Sequence, residues 1–161
     1  MGMMIRALIA PVALFSIASA SRAAEEQQST AAVERAMVEL QASHIAANAP
    51  PDASFMTVLH RDVLAYLAAN GLPSESAEIE LLRKGATQSG VSYPKYYLWV
   101  RATDKAGHQI AGAMRVTAID STRFDVTDFT PAASIRSDPA SLASIYPALL
   151  IPGIRQHATT N

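Results

Sequence analysis

The sequence predicts an α+β domain with two N-terminal helices packed on a roughly four-stranded antiparallel meander, followed by short C-terminal helices. Apolar residues recur every three or four positions before Pro73 and every second position after it, which indicates helices followed by strands. A glycine closes the three-residue loop 105–107 between two alternating segments, and such a loop is typical of a β-hairpin.

Two amphipathic segments account for the predicted helices. The first begins near Ser29 or Thr30, which can cap a helix, and ends before two consecutive prolines. Its apolar face is formed by Val33, Met37, Leu40, His44 and Ile45. The second covers residues 53–70, between the capping residues Asp52 and Ser54 and the stop signals Gly71 and Pro73. Its stripe comprises Phe55, Val58, Leu59, Val63, Tyr66 and Leu67.

Four segments alternate with the period of a strand, at residues 78–82, 96–103, 109–119 and 124–129. The loop at 105–107 sets the register of the central hairpin, since Asp104 must then face His108. One face of the predicted hairpin pairs Tyr96 with Val116, Leu98 with Met114, Val100 with Gly112 and Ala102 with Ile110. The other face pairs Tyr97 with Arg115, Trp99 with Ala113 and Arg101 with Ala111, and we expect it to be the wetter face.

The C-terminal segment is divided by prolines. Asp138 followed by Pro139 predicts a short helix over residues 139–146, and Pro147 and Pro152 interrupt the remainder of the chain. We expect one or two short terminal helices that pack Leu142, Ile145, Leu149, Leu150 and Ile154.

The N-terminus has the features of a cleaved signal peptide over residues 1–23. Arg6 precedes an apolar run at residues 7–17, and Ala18, Ser19 and Ala20 match a small-residue cleavage site, with a second choice after Ala23. The uncharged span of about 15 residues is shorter than the roughly 18 to 20 needed to cross a bilayer. We therefore expect a periplasmic or secreted protein with no membrane span after cleavage. A flexible segment at 24–29 and a single domain over 30–158 complete the predicted organisation.

Several classes of chemistry lack the residues they need. The chain contains no cysteine, which removes disulfides, thiolate nucleophiles and cysteine-based metal sites, and its net charge of -1 gives no footprint for nucleic acid. The four histidines show no metal-binding spacing, and neither a nucleophile elbow nor a phosphate-binding loop is present, so we expect no metal and no cofactor.

The order of elements over residues 30–135 resembles the cystatin-like or nuclear transport factor 2-like superfamily. In that superfamily a curved sheet wraps a helix and often encloses an apolar pocket, and its members include enzymes, ligand binders and assembly scaffolds. The helical C-terminus departs from the common form, which usually finishes in a strand.

The leading hypothesis is a non-catalytic binding domain that recognises a partner protein or a small apolar ligand through its sheet face or pocket. The candidate binding residues are Tyr97, Trp99, Arg101 and Arg115, which share one face of the hairpin and belong to types enriched at interfaces. If Trp99 is exposed, this face is a partner surface, and the alternative is that the C-terminal helices cover it.

Two other functions stay open. The resemblance also implies an enzyme of the ketosteroid isomerase or polyketide cyclase kind, with Asp62 or Asp128 as the base and Tyr66 or Tyr96 as the hydrogen-bond donor. That chemistry needs a carboxylate and a phenol in one cavity. The third possibility is a structural subunit of an envelope assembly, held by the Trp99 face.

Overall fold

The computed structural model describes residues 16–88 and 92–160. It confirms the predicted α+β class, with two N-terminal helices, a four-stranded antiparallel sheet and short C-terminal helices. The chain divides into two compact units, one ending at Leu40 and the other formed by Gln41–Asn161.

Helix α1 covers Ser16–Asn48. The first 15 residues of the predicted signal peptide lie outside the described residues, and the remainder is helical. Residues 24–29, predicted to be flexible, are also helical, because glutamate, glutamine and alanine have high helix propensity and no breaker interrupts them. Val33, Met37 and Leu40 are more than half exposed.

Helix α2 covers Asp52–Ala69, one residue from the predicted bounds. Its last turn is closed by Gly71, which adopts a left-handed φ of 67° and allows the Leu72 N–H to donate to the Leu67 carbonyl at 2.9 Å. The fully buried side chains Leu59, Val63 and Leu67 face the sheet.

The sheet consists of β1 (Ser76–Leu81), β2 (Lys95–Thr103), β3 (Gln109–Asp120) and β4 (Arg123–Pro131), in that order and all antiparallel. Every pair predicted for the central hairpin is confirmed. Gly107 has a φ of 85°, and the Asp104 carboxylate accepts hydrogen bonds from the Ala106 and His108 N–H groups, each at 2.8 Å. Turn chemistry therefore fixes this register as the sequence predicts.

Both faces of the sheet are covered. Helix α2 packs on the face that carries Leu98 and Met114. The opposite face is covered by α3 (Ala132–Ser137), a short 3-10 helix (Ser141–Ser144) and α4 (Ile151–Thr160). The helix predicted at 139–146 is thus only a four-residue 3-10 turn, and α3 was not predicted at all. Leu142 and Ile154 are buried as expected, whereas Leu149 is almost fully exposed.

Candidate functional site

The predicted partner surface around Trp99 lies in a second hydrophobic core, which is formed between the sheet and the C-terminal helices. Trp99 is 0% exposed and Tyr97 is 5% exposed, beneath Ile135, Leu142 and Ile154. The His157 ring of α4 stacks on the indole at a centroid distance of 5.2 Å. The expectation of a wetter, exposed face is therefore wrong, because the C-terminal helices bury its aromatic side chains, and the alternative of a covered Trp99 is the observed arrangement.

Arg115 connects three segments beside this core. Its Nη2 atom forms an ion pair with Asp128 at 2.5 Å, and its Nη1 atom donates to the Ile145 carbonyl at 3.2 Å. Tyr146 supports the same region by donating its hydroxyl to the Ala113 carbonyl at 2.8 Å. Burial raises the pKa of Tyr146 to about 12. These contacts give Arg115 and Asp128 a structural role between β3, β4 and the C-terminal segment.

The four residues of the enzyme hypothesis do not meet in one cavity. Tyr96 lies on the α2 face of the sheet, buried against Phe55 and Phe124 at centroid distances of 5.0 and 5.7 Å. Burial is the main cause that raises the pKa of Tyr96, with a smaller contribution from the Asp52 carboxylate. Asp128 pairs with Arg115 on the opposite face of the sheet.

Asp62 and Tyr66 both belong to α2, yet Asp62 is occupied by structural contacts. One oxygen of Asp62 accepts a hydrogen bond from the Phe124 N–H at 2.7 Å, and the other accepts from Arg61 Nε at 2.8 Å. The Asp62 side chain is 12% exposed. Asp62 therefore anchors α2 to the start of β4, and Tyr66 is half-buried on the same helix.

The layer between α2 and the sheet holds packed side chains where the resemblance implies an apolar pocket. Leu59, Val63 and Leu67 are each 0% exposed there, as are Leu98 and Met114. A ligand would have to displace this core in order to bind in that layer.

A cleft of about 520 Å³ opens at the other side of the sheet, where β2 ends and β3 begins. Residues from all four strands line it, together with residues of α3. The small side chains Ala111, Ala132 and Ala133 line it, and because they project little they leave room for a ligand.

Two arginines give the cleft its chemistry. Arg101 reaches it from β2 and forms an ion pair with Glu78 at 3.5 Å, with 36% of the Arg101 side chain exposed. Arg136 reaches it from α3 and donates Nη1 to the Ala158 carbonyl at 2.7 Å, so α4 holds its guanidinium in position. A guanidinium offers paired N–H donors that match a carboxylate or a phosphate.

One predicted binding residue, Arg101, therefore lines the cleft, whereas Tyr97 and Trp99 lie in the core and Arg115 is tied to Asp128. Sequence reasoning missed Arg136. The available signal was a basic residue in the last turn of a short helix. That helix has no side-chain cap, so the sequence does not indicate where it begins.

Within the described residues, no cluster of three or more histidine, aspartate or glutamate side chains could hold a metal ion. None of the helices described is long and apolar enough to span a membrane. No family model, curated protein or solved structure matches the chain.

Proposed function

We propose that this chain is an exported, non-catalytic binding domain whose ligand is a small molecule with a carboxylate and an apolar body. The observation that carries the proposal is a cleft of about 520 Å³ that both Arg101 and Arg136 line. The carboxylate of the ligand would pair with the guanidinium groups of these arginines, and its apolar body would lie along Ala111, Ala132 and Ala133.

The electrostatics of the cleft favour an anion. Among the described residues that line the cleft, Arg101 and Arg136 are positively charged and Glu78 is negatively charged, and the Glu78 side chain is 74% exposed. The Arg101–Glu78 pair is therefore well solvated, and such pairs contribute little to stability. A ligand carboxylate would therefore displace Glu78 from Arg101 at small cost.

Export is supported by the charged start, apolar run and small-residue cleavage pattern of residues 1–23. We propose a periplasmic or secreted location on this pattern. The enzyme alternative has less support, because Asp128 and Tyr96 lie on opposite faces of the sheet.

Octanoate and its uncharged analogue octanamide are suitable probes, with binding followed by two-dimensional NMR. Octanoate is a small ligand, and at a binding free energy of about 0.3 kcal/mol per non-hydrogen atom its Kd lies in the millimolar range, which NMR measures well. We expect octanoate to bind at least tenfold more tightly than octanamide.

The double variant Arg101→Gln with Arg136→Gln removes two positive charges, and the control, Arg83→Gln with Arg123→Gln, removes two from exposed residues outside the cleft. Arg123 is 55% exposed on β4 and pairs with Asp125 at 3.3 Å, so its substitution removes a charge without touching the cleft. We expect the double variant to bind octanoate at least tenfold more weakly, since hydrogen bonds to charged groups contribute about 1.5–3 kcal/mol each. Equal affinity of the double variant and the control would refute the proposed site.

A further inference from the structure

We propose that the outer edge of β1 binds an extended segment of a partner protein in which basic residues alternate with apolar ones. This surface borders the cleft, since Glu78 of β1 also lines it, but the proposed partner strand is a different occupant from the small-molecule ligand. In the described ranges 16–88 and 92–160, β1 is the first strand of the sheet and pairs only with β2. Its other edge is therefore available to a further strand.

The hydrogen-bond pattern shows which backbone groups are available. The Leu82 N–H donates to the Tyr97 carbonyl at 2.9 Å, which continues the β1–β2 register. Because an antiparallel strand bonds to one neighbour at alternate residues, the groups of Ala77, Ile79 and Leu81 point away from β2. These are the groups that β-strand addition uses.

The side chains beside this edge alternate between acidic and apolar. Glu78 and Glu80 lie on one face of β1, with 74% and 53% of their side chains exposed, and each has a basic neighbour in its own chain at 3.5 Å, Arg101 for Glu78 and His157 for Glu80. Ile79 and Leu81 lie on the α2 face, where Ile79 is half-buried and Leu81 is 37% exposed. An added strand would therefore contact carboxylates on one face and aliphatic side chains on the other.

A second copy of β1 does not fit this edge. In an antiparallel pair with Ile79 opposite Ile79, the two chains would set Glu78 opposite Glu80 twice. A shift of the register by two residues would set Glu78 opposite Glu78. Like charges directly opposite each other destabilise a strand pair, whereas lysine or arginine at these positions would pair with the carboxylates. Charge complementarity thus selects a basic, alternating strand over self-association.

The test uses the full chain and two capped heptapeptides, one alternating lysine with valine and the other alternating glutamate with valine, with binding measured by NMR titration. We expect the lysine peptide to bind at least tenfold more tightly than the glutamate peptide. Equal binding of the two would overturn the charge assignment.

Ile79→Pro tests the edge itself. Proline removes the outward N–H of residue 79 but none of the β1–β2 hydrogen bonds, so the sheet should persist while the added strand loses its bond. Ile79→Ala keeps the N–H and is the control for the lost side chain. We expect Ile79→Pro to weaken binding of the lysine peptide at least tenfold and Ile79→Ala by less than threefold. Unchanged binding in Ile79→Pro would overturn the proposal.

Two charge-reversal variants keep the proposal testable if Ile79→Pro fails to fold. Glu80→Lys and Asp125→Lys make the same change in net charge on opposite edge strands, β1 and β4. We expect Glu80→Lys to weaken binding of the lysine peptide at least fivefold and Asp125→Lys to leave it within twofold. Equal effects of the two variants would mean that the peptide responds only to net charge, and this result would overturn the proposal. A dimer of the unmodified chain that Glu80→Lys disrupts or strengthens would also overturn it.

Discussion

Gly112 occupies a position in β3 that should not tolerate a larger residue. It pairs with Val100 on one side and Pro131 on the other. A Cβ atom on residue 112 would lie 2.5 Å from the Thr130 carbonyl oxygen and 2.7 Å from Cε2 of the Phe129 ring. Gly112→Ala therefore forces β4 to move, because Thr130 contributes backbone to this contact and cannot rotate away.

The stability cost of Gly112→Ala depends on how far each of these two groups can move. The phenyl ring can turn at moderate cost, whereas the backbone oxygen must shift by about half an ångström or more against the paired strand. Overpacking of this kind costs typically 1–3 kcal/mol, and we expect a value near the upper end, about 3 kcal/mol. For a unit of this size that corresponds to a melting temperature lower by roughly 10 °C.

Thermal unfolding followed by circular dichroism and by Trp99 fluorescence measures this difference. Gly153→Ala is the matched control, since a Cβ at residue 153 meets no atom within 4 Å and the residue lies in α4. We expect this control to melt at or slightly above the temperature of the unmodified protein, because alanine is the better helix former. A melting temperature for Gly112→Ala within about 2 °C of the control would refute the reasoning.

Two further predictions concern the buried polar contacts. Because burial raises the pKa of Tyr146 from its ordinary 10.0 to about 12, its contribution to the free energy of unfolding is complete below pH 10 and is lost as pH rises from 10 to 12. Denaturant titrations should show that Tyr146→Phe lowers stability by about 1 kcal/mol at pH 8 and flattens this alkaline decline, and an unchanged slope would contradict the assignment. Asp62→Ala, which leaves the Phe124 N–H without its acceptor, should lower the free energy of unfolding by about 1–3 kcal/mol, and Asp62→Asn by less than half of that. Equal losses in the two variants would argue against the hydrogen bond.

The central hairpin shows what local sequence determines. Gly107 supplies the left-handed residue that a three-residue loop needs, and Asp104 accepts hydrogen bonds from that loop. The same register collects Tyr96, Leu98 and Val100 on one face. Turn chemistry and burial act within about twenty consecutive residues here, so the pairing could be predicted without knowledge of the rest of the chain.

The second face of the sheet depended on contacts distant in sequence. Residues 97, 99, 101 and 115 alternate with the first apolar face and include two arginines, which is also the pattern of a solvated surface. Only the docking of α3 and α4 buries Trp99. Helix α3 starts directly after Pro131 and has no side-chain cap, so no local signal marks its beginning.

The candidate site was predictable only in part for the same reason. Arg101 could be selected from its strand, but its neighbour in the cleft, Arg136, comes from the helix that local signals missed. Three alanines from β3 and α3 line the cleft, and because they are far apart in the sequence, no local pattern predicts that they come together there.

The most direct test of the proposed function is a map of where octanoate binds, read from the backbone amide signals of the full chain. We expect the largest shifts at Arg101, Ala111, Ala133 and Arg136, and no comparable shifts with octanamide at the same concentration. Shifts centred on α2 and the core around Met114, or equal shifts with the two probes, would contradict an anion-binding cleft.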